Sequence, residues 1–297
     1  MIIVKLLGGL GNQMFQYAAG RRLSIVHDVT LKLDTSWFSY RLPDGTARPY
    51  ALGVFAIQEN FATQEEVRSL TGEVSSDIYN RLRSLMQKLK LIHGQREMVK
   101  ERFLHFDRTV LNLPENAYLE GYWQSEKYFL DVAGVLRKEF TLKEPLAGKN
   151  LEIADQIRNT CSVSIHVRRG DYVSNPGITE FHGVCEPAYY HRCIDELSRK
   201  FSNAHFFVFS DDPVWTRVHL NFDYPVTYVD HNDSDKGYED MRLMSLCRHN
   251  IIANSSFSWW GAWLNPNPDK LVYAPQRWFN RPDIDTRDLV PSSWIRR

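Results

Sequence analysis

Two arginines stand side by side at the end of an apolar, strand-like run, in the sequence SVSIHVRRGD of residues 162–171. Arginine is always protonated, and its planar guanidinium can bond two phosphate oxygens at once. Consecutive side chains of a strand point to opposite faces, so Arg168 and Arg169 are not expected to bind the same phosphate. We interpret one arginine as an anion ligand and the other as its support. The alternative is a pair neutralised by nearby carboxylates such as Asp171.

A second candidate anion site follows a later strand, in the sequence NSSFSWWGAWL of residues 254–264. Asn254, Ser255 and Ser256 are residue types that cap the start of a helix, where exposed N–H groups attract anions. Simple capping without a ligand is the alternative, and the tryptophans that follow could be ordinary core. Two phosphate-type sites on neighbouring strand ends favour a diphosphate as the common ligand.

Acidic residues follow two further strands. Asp211 and Asp212 end the strand HFFVFS, where a carboxylate could accept hydrogen bonds from a purine edge or a ribose. Asp233 and Asp235 match the D-x-D pattern of metal-dependent sugar transferases, but a loop crowded with acids is usually a solvated surface. An arginine at a leaving diphosphate reduces the need for a metal ion. We therefore expect no metal site and no cofactor.

A glycine-rich turn, GGLGN at residues 8–12, follows the first strand and opens a helix, so its backbone N–H groups could face an anion or a sugar. Gly9, Gly11 and Asp34 partly match a dinucleotide-binding pattern. Met14 stands where that pattern needs its third glycine. A dinucleotide-dependent oxidoreductase is therefore an alternative function, and a tight turn with no ligand is another alternative.

The elements that must position these residues alternate between strands and helices, which indicates parallel pairing. In the first half we predict strands at residues 2–7, 29–34 and 117–123 and helices at residues 13–26, 77–92 and 126–140. The polar stretch 141–150 is the best linker candidate, because it holds Pro145 and Gly148. This divides the chain into an N-terminal domain of residues 1–145 and a C-terminal domain of residues 146–297.

The second half is predicted to be a doubly wound α/β domain. Its strands are expected at residues 162–167, 205–210, 226–230, 250–254 and 270–274, with a helix at residues 187–201. Ligands of such sheets bind at the carboxyl ends of the strands. The clusters HVRRGD, SDD, VDHNDSD and NSSFS therefore converge on one edge of the predicted sheet.

Composition narrows the function classes. Lys plus Arg and Asp plus Glu both number 36, so no net charge favours nucleic acid or an anionic membrane. The start of the chain lacks the features of a signal peptide, and no apolar run is long enough to span a bilayer, so we expect a cytoplasmic protein. The 8 Trp and 14 Tyr residues keep a non-catalytic glycan-binding protein as a further alternative.

Taken together, these segments resemble the bacterial alpha-1,2-fucosyltransferases, which are inverting enzymes that use GDP-L-fucose. The matching stretches are GGLGNQMFQYA (8–18), LKLD (31–34), GYWQ (121–124), HVRRGDYV (166–173), FVFSDD (207–212), EDMRLMSLC (239–247) and IIANSSFSWWGAWL (251–264). The resemblance implies a GT-B fold, in which two Rossmann-like domains face each other across a cleft. The C-terminal domain would bind GDP-fucose and the N-terminal domain would lie on the acceptor side.

The resemblance also implies roles for individual residues. Arg168 would bind the β-phosphate, His166 would lie beside the nucleotide, and Asn12 would reach the fucose or the acceptor from the opposite domain. The wider donor site would comprise Gly9, Gly11, Arg169, Asp211, Asp212, Asp240, Asn254, Ser255, Ser256 and Phe257.

The expected reaction is transfer of L-fucose from GDP-fucose to the 2-hydroxyl of a terminal galactoside with inversion. Asp34 and Asp171 are available carboxylates for the catalytic base, although Asp171 better fits a residue that orients the arginines. Neither the acceptor glycan nor the oligomeric state follows from the sequence.

Overall fold

The computed structural model describes four stretches of the chain, residues 1–39, 48–72, 96–220 and 222–297. The described residues form two compact units, Met1–Lys143 and Glu144–Arg297. Each unit carries its own parallel sheet, which confirms the predicted α/β, GT-B-like class. The helix predicted at residues 77–92 lies outside the described residues. The assignment of acceptor and donor to the two halves stays a prediction.

The N-terminal unit contains the elements β1 (Ile2–Lys5), α1 (Leu10–His27), β2 (Leu31–Asp34), α2 (Gln64–Thr71), β3 (Arg96–Lys100), β4 (Asn116–Glu120) and α3 (Ala133–Glu139). Short 3₁₀ helices lie at Ser36–Ser39, Leu52–Val54, Arg108–Asn112, Glu126–Tyr128 and Leu130–Val132. The strands form one sheet in the order β2-β1-β4-β3, with every pair parallel. This confirms the predicted βαβ opening.

The central strand β1 explains why the glycine turn and the segment after β4 are neighbours. Val4 of β1 pairs with Leu33 of β2 on one side and with Leu119 of β4 on the other. Parallel neighbours end at the same edge of a sheet. The turn at residues 8–12 and the segment at residues 121–124 therefore leave the sheet side by side.

The C-terminal unit contains the elements α4 (Gly148–Arg158), β5 (Cys161–Val167), α5 (Gly170–Ser174), α6 (Pro176–His182), α7 (Pro187–Lys200), β6 (Ala204–Ser210), α8 (Pro213–His219), β7 (Val226–Val229), α9 (Gly237–Leu246), β8 (His249–Ile251), α10 (Ser256–Leu264), β9 (Val272–Ala274) and β10 (Ile295–Arg296). A 3₁₀ helix lies at Ser234–Lys236. The sheet has the order β10-β9-β8-β5-β6-β7 and is parallel throughout. It confirms the predicted strands and adds β10, which sequence reasoning missed.

The predicted helix at residues 126–140 is confirmed in its second half as α3, whereas its first half forms two 3₁₀ turns. The α-helical conformation is interrupted at the buried residue Phe129, whose φ of −146° lies outside the helical range. The strand predicted at residues 117–123 is also shorter than expected, since β4 ends before Gly121.

The tryptophans of α10 belong to the core of the C-terminal unit. Trp259, Trp260 and Trp263 are buried, and the rings of Trp259 and Trp260 meet edge to face at 5.0 Å. Their packing fixes the helix whose first residues follow β8. Of the helices in the described stretches, none has both the length and the apolar character required to cross a bilayer.

Candidate active site

The arginine pair lies where β5 ends, beside the end of β6. Arg168 forms an ion pair with Asp211, with 2.9 Å between Nη1 and Oδ2. The other carboxylate oxygen of Asp211 accepts the backbone N–H of Arg169 at 2.8 Å. One carboxylate from the neighbouring strand therefore fixes both the Arg168 guanidinium and the backbone on which it is mounted.

Arg169 faces a different set of partners. Its Nε donates to Oδ2 of Asp212 at 3.2 Å, and its guanidinium carbon lies 3.8 Å from the centre of the Trp215 ring. Asp212 also caps α8 through the backbone N–H of Trp215. A guanidinium stacked on an aromatic ring and paired with a carboxylate is well anchored. This geometry fits the support role that sequence reasoning gave to one of the two arginines.

In the structure, Asp211 therefore pairs with Arg168, and Asp212 pairs with Arg169. Their predicted contact with guanine or ribose stays a prediction. Gly170 permits the arrangement, because a Cβ there would lie 2.6 Å from Oδ2 of Asp211. The Asp171 side chain, which was predicted to orient the arginines or to act as base, lies outside the described part of the structure. Trp215 was missed from the sequence, although its position three residues after a capping Asp was a usable signal.

His166 lies two residues before Arg168 and is 5% exposed. Burial first, and then the charge of Arg168, lower the pKa of His166 to about 3, so its ring is neutral at physiological pH. Its Nδ1 is buried and has no hydrogen-bond partner among the described residues. The ring centre lies 5.4 Å from that of Phe257 in the first turn of α10.

The start of α10 confirms that the serines cap a helix. The Ser255 hydroxyl accepts the backbone N–H of Phe257 at 3.3 Å, and Ser256 is the first helical residue. Asn254 is engaged inside the protein, because its Nδ2 donates to the carbonyls of His182 and Trp278 at 2.9 and 3.1 Å. Its side chain therefore holds the loop that precedes the helix.

Tyr172 connects the arginine to this loop and was missed from the sequence. The guanidinium carbon of Arg168 lies 5.4 Å from the centre of the Tyr172 ring. The Tyr172 hydroxyl donates to the carbonyl of Asn254 at 3.3 Å. The two candidate anion sites predicted from the sequence are therefore joined by direct contacts at one edge of the sheet.

Asp240 lies in the first turn of α9, which begins at the Phe257 ring. A Cβ on Gly237 would lie 3.6 Å from that ring. Burial raises the pKa of Asp240 to about 7, although a 2.7 Å hydrogen bond from Asn232 opposes the shift. The Asp240 carboxyl is therefore about half ionised at pH 7, on a helix that begins beside Phe257. Such a carboxyl suits hydrogen bonding to a polar ring.

The D-x-D residues do not join this group by any contact of the described residues. Asp233 and Asp235 are exposed, and they flank Ser234, the first residue of the 3₁₀ helix Ser234–Lys236. Across residues 1–39, 48–72, 96–220 and 222–297, no three His, Cys, Asp or Glu side chains come together as a metal site.

In the N-terminal unit the glycine turn starts α1. Gly8 has a left-handed φ of +75°, and Gly9 is the N-cap residue. Gly11 is buried in the first turn, and Asn12 accepts a hydrogen bond at Oδ1 from Nε2 of Gln124 at 2.8 Å. Gln124 belongs to the segment after β4 and was not singled out from the sequence.

Asp34 has a structural role that the sequence did not indicate. It is 5% exposed, and its two oxygens accept the backbone N–H of Ser36 at 2.9 Å and the hydroxyl of Tyr118 at 2.7 Å. A carboxylate used in this way is poorly suited to bind a ribose. Met14 is fully buried beneath the turn, as a core residue.

Comparisons with known proteins identify relatives of the whole chain. A family model described as glycosyl transferase family 11 matches residues 79–296. An alpha-1,2-colitosyltransferase of Escherichia coli is 36% identical over 304 residues, covering 100% of this chain and 98% of that protein.

More distant similarities extend to fucosyltransferases. Mouse galactoside alpha-(1,2)-fucosyltransferase 2 is 26% identical over 174 residues, covering 57% of this chain and 48% of that protein. The crystal structure of NodZ alpha-1,6-fucosyltransferase soaked with GDP-fucose is similar with a TM-score of 0.45 and 14% identity, covering 89% of this chain and 92% of that one.

Proposed function

The protein belongs to glycosyl transferase family 11, and we propose that it transfers L-fucose from GDP-fucose to the 2-hydroxyl of a terminal galactoside with inversion, without a metal ion. The observation that carries the proposal is the Arg168–Asp211 pair at the end of β5, joined through Tyr172 to the loop before α10. Family membership sets aside the oxidoreductase and the non-catalytic glycan-binding alternatives.

The C-terminal unit supplies the donor site in this proposal. As the bond between fucose C1 and the β-phosphate oxygen breaks, its electron pair stays on that oxygen, and negative charge grows there. Arg168 stabilises this charge, because its guanidinium is held in place before the reaction and needs no reorganisation. The N-terminus of α10, which begins at Ser256 after the N-cap residue Ser255, provides a second favourable field for the diphosphate.

We assign the guanine ring to the region of His166 and Phe257, beside the start of α9, the helix that carries Asp240. Phe257 offers a ring surface, and the Asp240 carboxylate accepts the N–H groups of guanine. The contact of Asp211 and Asp212 with guanine or ribose stays a prediction, and in the structure both carboxylates hold arginines.

The N-terminal unit supplies the acceptor side, with Asn12 as the residue that meets the sugar. A neutral amide suits this task, because fucose and galactose present hydroxyl groups and carry no charge. The acceptor 2-hydroxyl oxygen attacks C1 from the face opposite the leaving phosphate and gives its proton to a general base, while GDP leaves with the electron pair of the broken bond; the product is the inverted α-glycoside. Asp34 and Asp171 stay the candidates for this base, and the two hydrogen bonds that Asp34 accepts favour a structural role for it.

The test uses the purified protein with GDP-L-fucose and, in parallel, a GDP-linked colitosyl donor, because a colitosyltransferase is among its relatives. Each donor is offered with lactose and with type 1 and type 2 disaccharides, and the product linkage is determined by NMR. The proposal expects an α-1,2-linked fucosyl product. Transfer of colitose alone, a linkage to another hydroxyl, or donor hydrolysis without transfer would each contradict it.

A further inference from the structure

Two amide side chains meet at the carboxyl edge of the N-terminal sheet. Nε2 of Gln124 donates to Oδ1 of Asn12 over 2.8 Å, although the residues are 112 positions apart. The contact bridges the ends of the neighbouring strands β1 and β4. A second bridge lies beside it, because Gln16 accepts the backbone N–H of Leu7 and donates to the carbonyl of Gly121.

The segment that presents Gln124 has an unusual backbone. Trp123 has a φ of +55° and is 1% exposed. A bulky residue in the left-handed region is strained and persists only where its surroundings hold it. Such strain is a reason to ask what the turn accomplishes.

Glu101 is the residue that holds this turn. Its carboxylate accepts the backbone N–H groups of Tyr122 at 2.6 Å and of Trp123 at 2.9 Å. Burial raises the pKa of Glu101, and the two N–H donors oppose that shift. Gly121 is required for the approach, since a Cβ there would lie 2.4 Å from Cβ of Glu101. A partly buried carboxyl, an obligatory glycine and a strained tryptophan together fix the direction of the following residue.

That direction decides which atom of the Asn12 amide faces Gln124. Because Oδ1 accepts the Gln124 hydrogen bond, Nδ2 lies at the other end of the amide group, directed away from Gln124. The Nδ2 atom is 2.6 Å from the position that a Cβ on Gly8 would occupy. Gly8, in its left-handed conformation, therefore leaves room for the amide nitrogen.

We propose that Gln124 is a positioning residue that fixes the orientation of the Asn12 amide, so that Nδ2 and not Oδ1 is offered to an oxygen of the reacting sugars. The role of Asn12 at the sugar rests on the proposed function. Gln124 itself acts through Asn12, and the turn at Gly121–Trp123 acts through Gln124.

The decisive variant is Gln124→Glu, which keeps the shape of the side chain but replaces its donor by an acceptor. The carboxylate at this position requires a donor from Asn12, so the amide turns over and Oδ1 takes the place of Nδ2. We expect kcat to fall by about tenfold to hundredfold, as for other misplaced positioning groups. Gln124→Ala loses the orientation without reversing it, so its loss should be about three- to tenfold on the same basis. The dissociation constant of GDP should stay within about twofold for both variants, because neither touches the nucleotide.

Gln64→Glu is the matched control, because Gln64 is exposed in the first turn of α2 and has the same change of charge. The side-chain amide signals of Asn12, followed by NMR in the ¹⁵N-labelled protein, report the contact without turnover.

If Gln124→Glu matches Gln64→Glu in kcat while wild type transfers fucose, the positioning role is wrong and the function stands. If wild type transfers no sugar but the Asn12 signals shift in Gln124→Glu, the function is wrong and the contact stands. Should Gln124→Glu fail to fold, Gln124→Ala and Gln124→Met decide, and wild-type kcat in both overturns the proposal.

Discussion

The carboxyl edges of the two sheets are built from different chemistry. At the C-terminal sheet the side chains are charged and paired, as in the contacts of Arg168 with Asp211 and Arg169 with Asp212. At the N-terminal sheet two neutral amides meet, because Asn12 is held by Gln124, while the carboxylates of Asp34 and Glu101 accept backbone N–H groups of the unit. Ion pairs suit a diphosphate whose charge grows during the reaction, whereas amides suit the uncharged hydroxyls of a sugar. The same strand-to-loop geometry thus serves two kinds of ligand in the proposed reaction.

The largest effect is expected at the charged edge. Arg168→Lys keeps the charge but loses the planar guanidinium, so it should be nearly as damaging as Arg168→Ala. By analogy with the loss of a preorganised oxyanion donor, kcat should fall by about 10²–10³, or about 3–4 kcal/mol of transition-state stabilisation. Steady-state kinetics with saturating donor measures the loss.

Arg169→Lys and Arg158→Lys are the comparison variants for that measurement. Arg169 stacks on Trp215 and pairs with Asp212, so its replacement should cost less turnover than that of Arg168. Arg158 is exposed on α4 and should show no loss. Retained turnover in Arg168→Lys together with a large loss in Arg169→Lys would mean that the two roles are reversed.

The neutral edge predicts a smaller loss of a different kind. Asn12→Ala should lower kcat by about tenfold to hundredfold, because a positioned hydrogen bond to the sugar is missing. GDP affinity should remain nearly unchanged, since Asn12 is not assigned to the nucleotide. Calorimetry with GDP separates the two quantities. A parallel collapse of GDP binding would place the GGLGN turn on the nucleotide and would remove the contrast between the two edges.

The sequence predicted the elements of these edges better than their contacts. The strands β5 to β9 and the cluster HVRRGD followed from short-range patterns of apolar and polar residues. The pairing of Arg168 with Asp211 joins residues 43 positions apart, and nothing local to either residue specifies it. Sequence reasoning therefore placed these side chains at one edge of the sheet and did not predict that Asp211 pairs with Arg168.

Long-range geometry also explains what was missed at the neutral edge. Gln124 was quoted within GYWQ, but its contact with Asn12 depends on β1 and β4 being neighbours. The positive φ of Trp123 has no signal in its residue type, because tryptophan rarely adopts it. The helix predicted at residues 126–140 is present only at Ala133–Glu139, because the backbone leaves the helical range at Phe129, and the residue types do not indicate that change.

The pH dependence of GDP affinity should show whether Asp240 contacts the guanine base. Burial raises the pKa of Asp240 to about 7 in the free protein, and guanine N–H donors favour the ionised carboxylate. GDP affinity should therefore be full above pH 7 and should fall as the pH drops through 7, by up to about tenfold per pH unit. Calorimetric titrations from pH 5.5 to 8.5, a range of about three units, cover the transition.

Asp240→Asn supplies the reference for that titration, because the phosphate of GDP also changes protonation in this range. The variant should lose the part of the pH dependence that belongs to the carboxyl. Equal slopes in wild type and variant would show that Asp240 does not contact the base.

The smallest expected effect on turnover is that of metal removal. This experiment tests whether arginine alone balances the charge of the diphosphate. A metal ion and an arginine at the same oxygens serve the same purpose, so a site that already holds Arg168 gains little from a second cation. Turnover after exhaustive treatment with EDTA should stay within about twofold of the untreated value, which is less than 0.5 kcal/mol of activation free energy. Asp233→Ala should behave in the same way, since that residue is exposed and outside the contacts of the arginine pair. A loss of turnover that Mn²⁺ restores, and that Asp233→Ala reproduces, would move the D-x-D residues into the site and would make the charged edge incomplete without a metal.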